Sequence, residues 1–230
     1  MTLLKSAQYS IRFLVSLACA AATCVVLAQP ITFTVVDESG KAVEGAVVSV
    51  LGLPDSAPRP QANSAIMDQV DRQFKPRVLL VQQGQNVSFP NSDNIRHHVY
   101  SFSKPKPFEI KLYANKPDEP VLFNNAGVVV LGCNIHDNML GYIYVADSAY
   151  ARMTDNQGTV TFDLPAKFKQ ISLWHQRYSF DESARMILGN DELQAAKSDD
   201  SHYTIVLPLA VPAPELEAPA AKGFGNSLRR

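Results

Sequence analysis

The strongest constraint on the fold is a repeated alternation between short β-rich runs and turn residues in the middle of the chain. Between residues 64 and 147 there are about eight such runs, a density typical of a β-sandwich. β-Branched, leucine and aromatic residues dominate the runs, and Gly, Pro, Asn and Asp separate them. Signals for helices are weak in the same region. The segment is therefore predicted to form an all-β sandwich domain.

Two segments that flank this block share a turn pattern. Asp37–Gly40 follows one β-rich run, and Asp155–Gly158 precedes another. Both patterns are typical of tight turns that join strands. The simplest interpretation is a second, smaller β-sandwich formed by residues 29–52 together with residues 149–208. The middle domain, residues 64–147, is then inserted into it or flanked by it.

The two ends of the chain carry signals of a different kind. Lys5 and Arg12 precede an apolar run of about 16 residues that ends at Ala28, shorter than the ~20 residues of a membrane-spanning helix. Residues 1–28 are therefore predicted to be a cleaved signal peptide, and the mature protein is expected in the periplasm without a membrane span. Residues 209–230 are rich in proline and alanine, and they are predicted to form a disordered tail.

Removal of the predicted signal peptide leaves a single cysteine. The chain has three cysteines, and Cys19 and Cys24 lie within the signal segment, so only Cys133 remains. Exported proteins meet an oxidising compartment in which cysteines normally pair. A lone cysteine cannot pair within the chain and must be a free thiol, an intermolecular link or a metal ligand.

The neighbours of Cys133 favour a metal ligand. Cys133, His136 and Met139 recur at intervals of three residues, which places them in one short loop between two predicted strands. A thiolate, an imidazole and a thioether suit copper far better than calcium, magnesium or manganese. A site with two histidines, one cysteine and a weak axial methionine is the arrangement of single-electron copper centres. The pattern therefore predicts one mononuclear copper site that needs a second histidine.

The second histidine is expected from the pair His97 and His98. Adjacent residues on a strand point to opposite faces, so only one of the two can face the site. His97 is preferred because Val99 and Phe102 are expected to be core residues that flank it. Asp68 and Glu109 are alternative axial oxygen ligands if Met139 points away.

The middle block resembles the cupredoxins, the plastocyanin and amicyanin group. The resemblance implies a Greek-key β-sandwich with a type 1 copper site held by His97, Cys133, His136 and Met139. The chain departs from the plastocyanin pattern at His98, where plastocyanins usually carry Asn. The matching motifs are Phe74-Lys-Pro76, Val81-Gln-Gln-Gly84, Val87-Ser-Phe89-Pro-Asn91, His97-His-Val99 and Cys133-x2-His136-x2-Met139-x-Gly141.

A closer resemblance is to bacterial proteins labelled methylamine utilisation proteins. The shared motifs stand here at Phe89–Asp93, His97–Ser103 and Gly132–Asp137. The flanking segments, 29–52 and 149–208, resemble the carboxypeptidase regulatory-like, transthyretin-like sandwich.

These observations together predict a periplasmic electron-transfer protein rather than an enzyme. The expected partner is a redox protein, with a cytochrome or a dehydrogenase as candidates. A periplasmic copper carrier or sensor and a structural or adhesion module are the alternatives. The five histidines are too few for a multicopper oxidase, and no catalytic motif has a convincing context. The chain has 21 basic and 22 acidic residues, and the basic residues do not cluster in the sequence. Nucleic acid is therefore not an expected partner.

Overall fold

The structure of the protein is a computed structural model that describes residues 29–54, 64–117, 119–136, 138–165 and 167–211. Within these residues nearly all regular structure is β, which confirms the all-β prediction. The predicted signal peptide, most of the proline-containing segment that follows residue 52, and residues 212–230 of the predicted tail lie outside the described residues. No helix in the described part is long and apolar enough to cross a bilayer.

The described residues form the following strands and one helix, in chain order. They are β1 (Gln29–Val36), β2 (Val47–Leu51), β3 (Ala65–Ile66), β4 (Asp68–Val70), β5 (Gln73–Lys75), β6 (Val78–Gln82), β7 (Gln85–Ser88), β8 (His97–Ser101), β9 (Phe108–Tyr113), β10 (Val121–Phe123), β11 (Gly127–Gly132), β12 (Leu140–Ala146), β13 (Ala151–Met153), β14 (Thr159–Leu164), β15 (Gln170–Trp174), β16 (Met186–Leu188), α1 (Asn190–Ala196) and β17 (His202–Val206).

Strands from both ends of the described chain pair with one another. β1 lies between β14 and β17 in a three-stranded sheet, and a second sheet has the order β13-β2-β15-β16. Alternate residues of these strands, such as Phe33, Phe162 and Ile205, enter one core that they share with Val48 and Leu173 from the second sheet. Because side chains on a strand alternate between faces, each sheet covers one side of this core.

The two turns with similar sequences adopt the same structure. The carboxylate of Asp37 accepts hydrogen bonds from the backbone N–H groups of Ser39 and Lys41, at 2.9 and 3.0 Å. Asp155 does the same with Gln157 and Thr159, at 2.9 Å each. A hydrogen bond from the Ser39 hydroxyl, together with the backbone N–H groups, lowers the pKa of Asp37, and hydrogen bonds from Thr159 and Gln157 lower the pKa of Asp155. The aspartate side chain thus stabilises each turn, as the sequence pattern indicates.

The middle of the chain forms a second set of sheets. A five-stranded sheet has the order β6-β12-β11-β8-β9, with β6 parallel to β12, and a three-stranded sheet has the order β10-β7-β3. The core between them contains Val87, Phe89, Phe123, Val129 and Ile143. β4 and β5 form a separate hairpin. The domain boundaries that the sequence suggests stay a prediction.

β12 is buried on both of its faces. Ile143 and Val145 point into the core of the middle block, whereas Tyr142 and Tyr144 point to the other side. There their rings contact Trp174 of β15, with centroid distances of 5.8 and 5.6 Å. The five-stranded sheet and the sheet that contains β15 are therefore joined by an apolar, largely aromatic contact.

Several local predictions differ from the structure. The short strands β3, β4, β5, β13 and β16 have no predicted counterpart, because runs of two or three residues carry too weak a pattern. The prediction that Phe102 is a core residue is wrong, since its side chain is 87% exposed. β8 ends at Ser101, and Phe102 lies just beyond the end of the strand.

His175 makes the stability of the fold depend on pH. Its side chain is buried, and its Nδ1 accepts a hydrogen bond of 3.2 Å from the backbone N–H of Arg177. Burial, assisted by the charge of Arg177, lowers the pKa of His175 from 6.5 to about 4. The unfolded chain therefore binds a proton at a higher pH than the folded protein does. The stabilisation is complete above the unfolded pKa and is lost as the pH falls towards the folded one.

We expect the free energy of unfolding to decrease by about 3 kcal/mol between roughly pH 6.5 and pH 4 through His175 alone. Denaturant unfolding across this pH range measures the effect. His175→Gln is expected to flatten the pH dependence, whereas His202→Gln, a change at a histidine that is only partly buried, is expected to retain it. An unchanged slope in His175→Gln contradicts the assignment.

Candidate metal centre

The loop that carries the cysteine motif closes the hairpin between β11 and β12. The two strands pair as far as Gly132 opposite Leu140, so that residues 133–139 form the connection. The backbone N–H of Met139 donates to the carbonyl of His136 at 3.1 Å, which makes the connection a tight turn. Cys133 and Met139 at its two ends are 6% and 2% exposed. Chain reversal thus places both sulfur-containing side chains in the protein interior.

The close approach of β8 to β11 brings in the upstream histidine. Gly132 pairs with Tyr100 of β8, and a Cβ atom at position 132 would lie only 2.7 Å from the Tyr100 ring. Glycine therefore allows the close approach, and any side chain at this position would have to displace the Tyr100 ring. The pairing of β8 with β9 shifts register between His97 and Val99, and such an irregularity changes the direction of a side chain.

His97, Cys133 and His136 bring three donor atoms together. The Sγ of Cys133 lies 3.6 Å from Nδ1 of His97 and 3.8 Å from Nδ1 of His136. The ring centroids of the two histidines are 5.0 Å apart, and one donor atom from each of the three residues lies within 4.8 Å of the others. His97 is fully buried, whereas His136 is partly exposed.

These distances fit coordination of one metal ion. A nitrogen and a sulfur bound at about 2.0 and 2.3 Å to one ion such as zinc, with angles between tetrahedral and trigonal, lie about 3.5–3.7 Å apart. The separation of 3.6 Å lies within this range, and that of 3.8 Å lies just above it. The donor set of one sulfur and two imidazoles is the combination that copper prefers. The residues present therefore fit a copper ion.

The structure places the other candidate residues as follows. Met139 belongs to the same buried cluster as Cys133. His98 points away from His97, and its Nε2 lies 3.0 Å from Oε1 of Glu109. Asp68 accepts a hydrogen bond from the hydroxyl of Ser92 at 2.8 Å. Among the described residues, neither Asp68 nor Glu109 joins the group formed by the two histidines and the cysteine.

Sequence analysis missed Asp93, which contacts the buried histidine. Oδ2 of Asp93 lies 2.8 Å from Nε2 of His97, on the side of the ring opposite Cys133. Burial raises the pKa of Asp93, but hydrogen bonds from Arg72, His97 and Asp71 outweigh it and leave the pKa below 3.8. Asp93 is therefore a carboxylate at neutral pH. An aspartate in a loop four residues before a histidine is a common pattern, so the sequence alone does not identify Asp93 as a partner of His97.

A second network lies beside the cluster. The hydroxyl of Tyr113 donates to the carbonyl of Phe89 at 2.8 Å and accepts a hydrogen bond from the side-chain amide of Gln69. The same amide donates to the carbonyl of Pro90 at 3.1 Å. Burial raises the pKa of Tyr113 to about 12. Tyr113 therefore remains a protonated donor that fixes the loop before Asp93.

Comparison with solved structures returns copper proteins at low similarity. A copper-containing nitrite reductase from Thermus scotoductus SA-01 is 24% identical, with a TM-score of 0.36, over 41% of this chain and 25% of that protein. A purple cupredoxin from Nitrosopumilus maritimus is 19% identical, with a TM-score of 0.33, over 36% of this chain and 100% of that protein. An oxidised amicyanin variant is 17% identical, with a TM-score of 0.34, over 43% of this chain and 98% of that protein.

No family model matches the chain, and no curated protein sequence matches it.

Proposed function

We propose that this protein is a single-electron carrier that holds one type 1 copper ion through His97, Cys133, His136 and Met139. The observation that carries the proposal is the convergence of two imidazole nitrogens on the Cys133 sulfur, at 3.6 and 3.8 Å. When bound, copper supplies the exchange of one electron between its Cu(I) and Cu(II) states. The protein supplies the donors, their fixed positions and the exclusion of water.

The four side chains have different roles in this proposal. Cys133 would provide a soft thiolate, and Met139, at the other end of the loop, would provide a weaker thioether donor. His97 is fully buried and holds the ion from β8. His136 is partly exposed, and it forms the edge through which an electron enters and leaves.

The surroundings favour a site whose geometry changes little between oxidation states. Cys133 and Met139 pack in the core of the middle block together with Phe74, Phe89 and Leu131. Ligands whose rotamers are fixed by packing hold their geometry closely. A small rearrangement on electron exchange is the property that an electron carrier needs.

The cellular role follows from the resemblances and belongs to the same proposal. We place the protein in the periplasm, with a cytochrome or a dehydrogenase as its redox partner. We assign residues 64–147 to a cupredoxin domain and residues 29–52 and 149–208 to a transthyretin-like sandwich. That this protein is related to the bacterial proteins labelled methylamine utilisation proteins stays a prediction.

The pair His97 and His98 offers a matched test. Purified protein is loaded with Cu(II), and its copper content, visible absorption and cyclic voltammogram are recorded. Wild type and His98→Ala are expected to bind one copper ion per chain, with an intense thiolate-to-copper absorption and a reversible one-electron wave. His97→Ala is expected to lose the absorption, because one of the three strong donors is missing.

The outcomes separate the alternatives. Rapid loss of copper to a chelator, together with a poorly reversible wave, favours a copper carrier or sensor that uses the same residues. No copper binding by the wild-type protein favours a structural or adhesion module. Undiminished absorption in His97→Ala excludes His97 as a ligand.

A further inference from the structure

The imidazole of His97 is contacted at both of its nitrogens. Nδ1 lies 3.6 Å from the Sγ of Cys133, and Nε2 lies 2.8 Å from Oδ2 of Asp93. The side chain of His97 is fully buried, and that of Asp93 is 14% exposed. The ring therefore has two different partners, a sulfur on one side and a carboxylate on the other.

The carboxylate of Asp93 is itself held in place. Its Oδ1 accepts a hydrogen bond from the backbone N–H of Asp71 at 2.8 Å, and its Oδ2 accepts one from Arg72 at 2.9 Å. These two residues form the turn between β4 and β5, with φ angles of +56° and +57°. The backbone N–H of Asp93 donates to Oδ1 of Asn91 at 3.1 Å. Two backbone N–H groups therefore hold the carboxylate that faces His97, and a third hydrogen bond holds the backbone of Asp93.

We propose that Asp93 is a positioning residue that keeps the proton of His97 on Nε2, so that the lone pair of Nδ1 faces Cys133 and is available to a metal. An ionised carboxylate only accepts hydrogen bonds, so the ring atom that faces it must carry a hydrogen. A neutral imidazole carries one such hydrogen, and its other nitrogen is then an acceptor or a ligand. The tautomer of His97 is thus determined by Asp93, a residue outside the loop that carries Cys133.

Asp93 also strengthens His97 as a donor, and this part of the inference rests on the proposed copper function. A carboxylate bonded to the second nitrogen of a ligating histidine raises the basicity of the ligand. A more basic imidazole stabilises Cu(II) more than Cu(I), because Cu(II) carries the higher charge. Asp93 is therefore expected to lower the reduction potential of the bound copper.

The chain offers a matched pair of carboxylate-to-amide changes for the test. In Asp93→Asn an amide N–H replaces one carboxylate oxygen. It then faces an N–H group that donates to that oxygen in the wild-type protein. Asp71→Asn makes the same chemical change in the turn that holds Asp93, at a side chain that is 80% exposed and contacts Lys75. Asparagine tolerates the left-handed backbone of position 71, so this control keeps the turn.

In Asp93→Asn the affinity for Cu(II) is expected to fall by about 10–100-fold, the range for loss of such an outer partner. Affinity for Cu(I) is expected to fall less. Each tenfold difference between the two raises the reduction potential by about 59 mV. Asp71→Asn is expected to keep the potential of wild type. An unchanged potential in Asp93→Asn, in a protein that shows the wild-type thiolate absorption, overturns the inference and leaves the copper function standing.

A second measurement requires neither bound copper nor a folded variant, because it uses the metal-free wild-type protein. Nitrogen NMR of the metal-free wild-type protein, at a pH where its histidines are neutral, reports which ring nitrogen of His97 carries the proton. The expected result is the Nε2–H tautomer. The Nδ1–H tautomer overturns the positioning role even if the protein binds copper. If the tautomer is Nε2–H and copper is not bound, the proposed function fails and the positioning role stands.

Discussion

Replacing Cys133 by serine is expected to abolish the thiolate-to-copper absorption and to weaken copper binding by more than the roughly 10–100-fold that loss of an outer partner costs. The Sγ of Cys133 lies close to both imidazoles, at 3.6 Å from His97 and 3.8 Å from His136. A serine hydroxyl has nearly the same size but is a hard, weakly acidic donor, so it cannot replace a thiolate for Cu(I). Titration with Cu(I) and Cu(II), together with visible spectra, measures the effect.

The control for this change is the stability of the metal-free protein. Burial of a hydroxyl in place of the thiol is expected to cost about 1–3 kcal/mol, which a domain of this size tolerates. Cys133→Ala removes the polar atom and separates that cost from the loss of metal binding. If Cys133→Ser retains the intense absorption and the wild-type affinity, the sulfur is not a ligand.

Replacing Trp174 by alanine is expected to reduce the free energy of unfolding by about 3–5 kcal/mol. Trp174 is 1% exposed, and its ring contacts the rings of Tyr142 and Tyr144 at 5.8 and 5.6 Å. Its Nε1–H also donates to the carbonyl of Glu182 at 2.8 Å. The change leaves a large cavity where the two groups of sheets meet, and it removes the donor to the carbonyl of Glu182.

Denaturant unfolding followed by circular dichroism is the appropriate measurement, because Trp174 is the single tryptophan of the chain. Trp174→Phe is expected to lose less stability, since it keeps an aromatic ring in the contact. Phe180→Ala, at a side chain that is 79% exposed, is expected to change stability by no more than about 0.5 kcal/mol. A loss below about 1 kcal/mol in Trp174→Ala contradicts the packing described for β12 and β15.

Local patterns predicted the longer strands well. Alternation of apolar and polar residues predicts strands at Phe108–Tyr113 and Gln170–Trp174, and these are the bounds of β9 and β15. The same alternation separated His97 from His98. The parallel pairing of β1 with β17 depends on residues about 170 positions apart, and no local pattern contains it.

The surroundings of the candidate site were less accessible to sequence analysis. Asp93 is oriented by N–H groups of Asp71 and Arg72, more than twenty residues earlier in the chain. The contact of Tyr100 with Gly132 depends on the register of β8 against β11. Such contacts between distant segments follow from the complete packing of the sheets. By contrast, Cys133, His136 and Met139 lie in one short loop at intervals of three residues, and this pattern can be recognised in the sequence.

X-ray absorption spectroscopy at the copper edge, on protein loaded with one equivalent of Cu(I) or Cu(II), tests the central claim most directly. The expected first shell contains one short sulfur and two imidazole nitrogens, with little change in distances between the two oxidation states. A first shell of nitrogen and oxygen only, or a rearrangement of the ligands on reduction, contradicts the proposal that His97, Cys133 and His136 hold one electron-transfer copper.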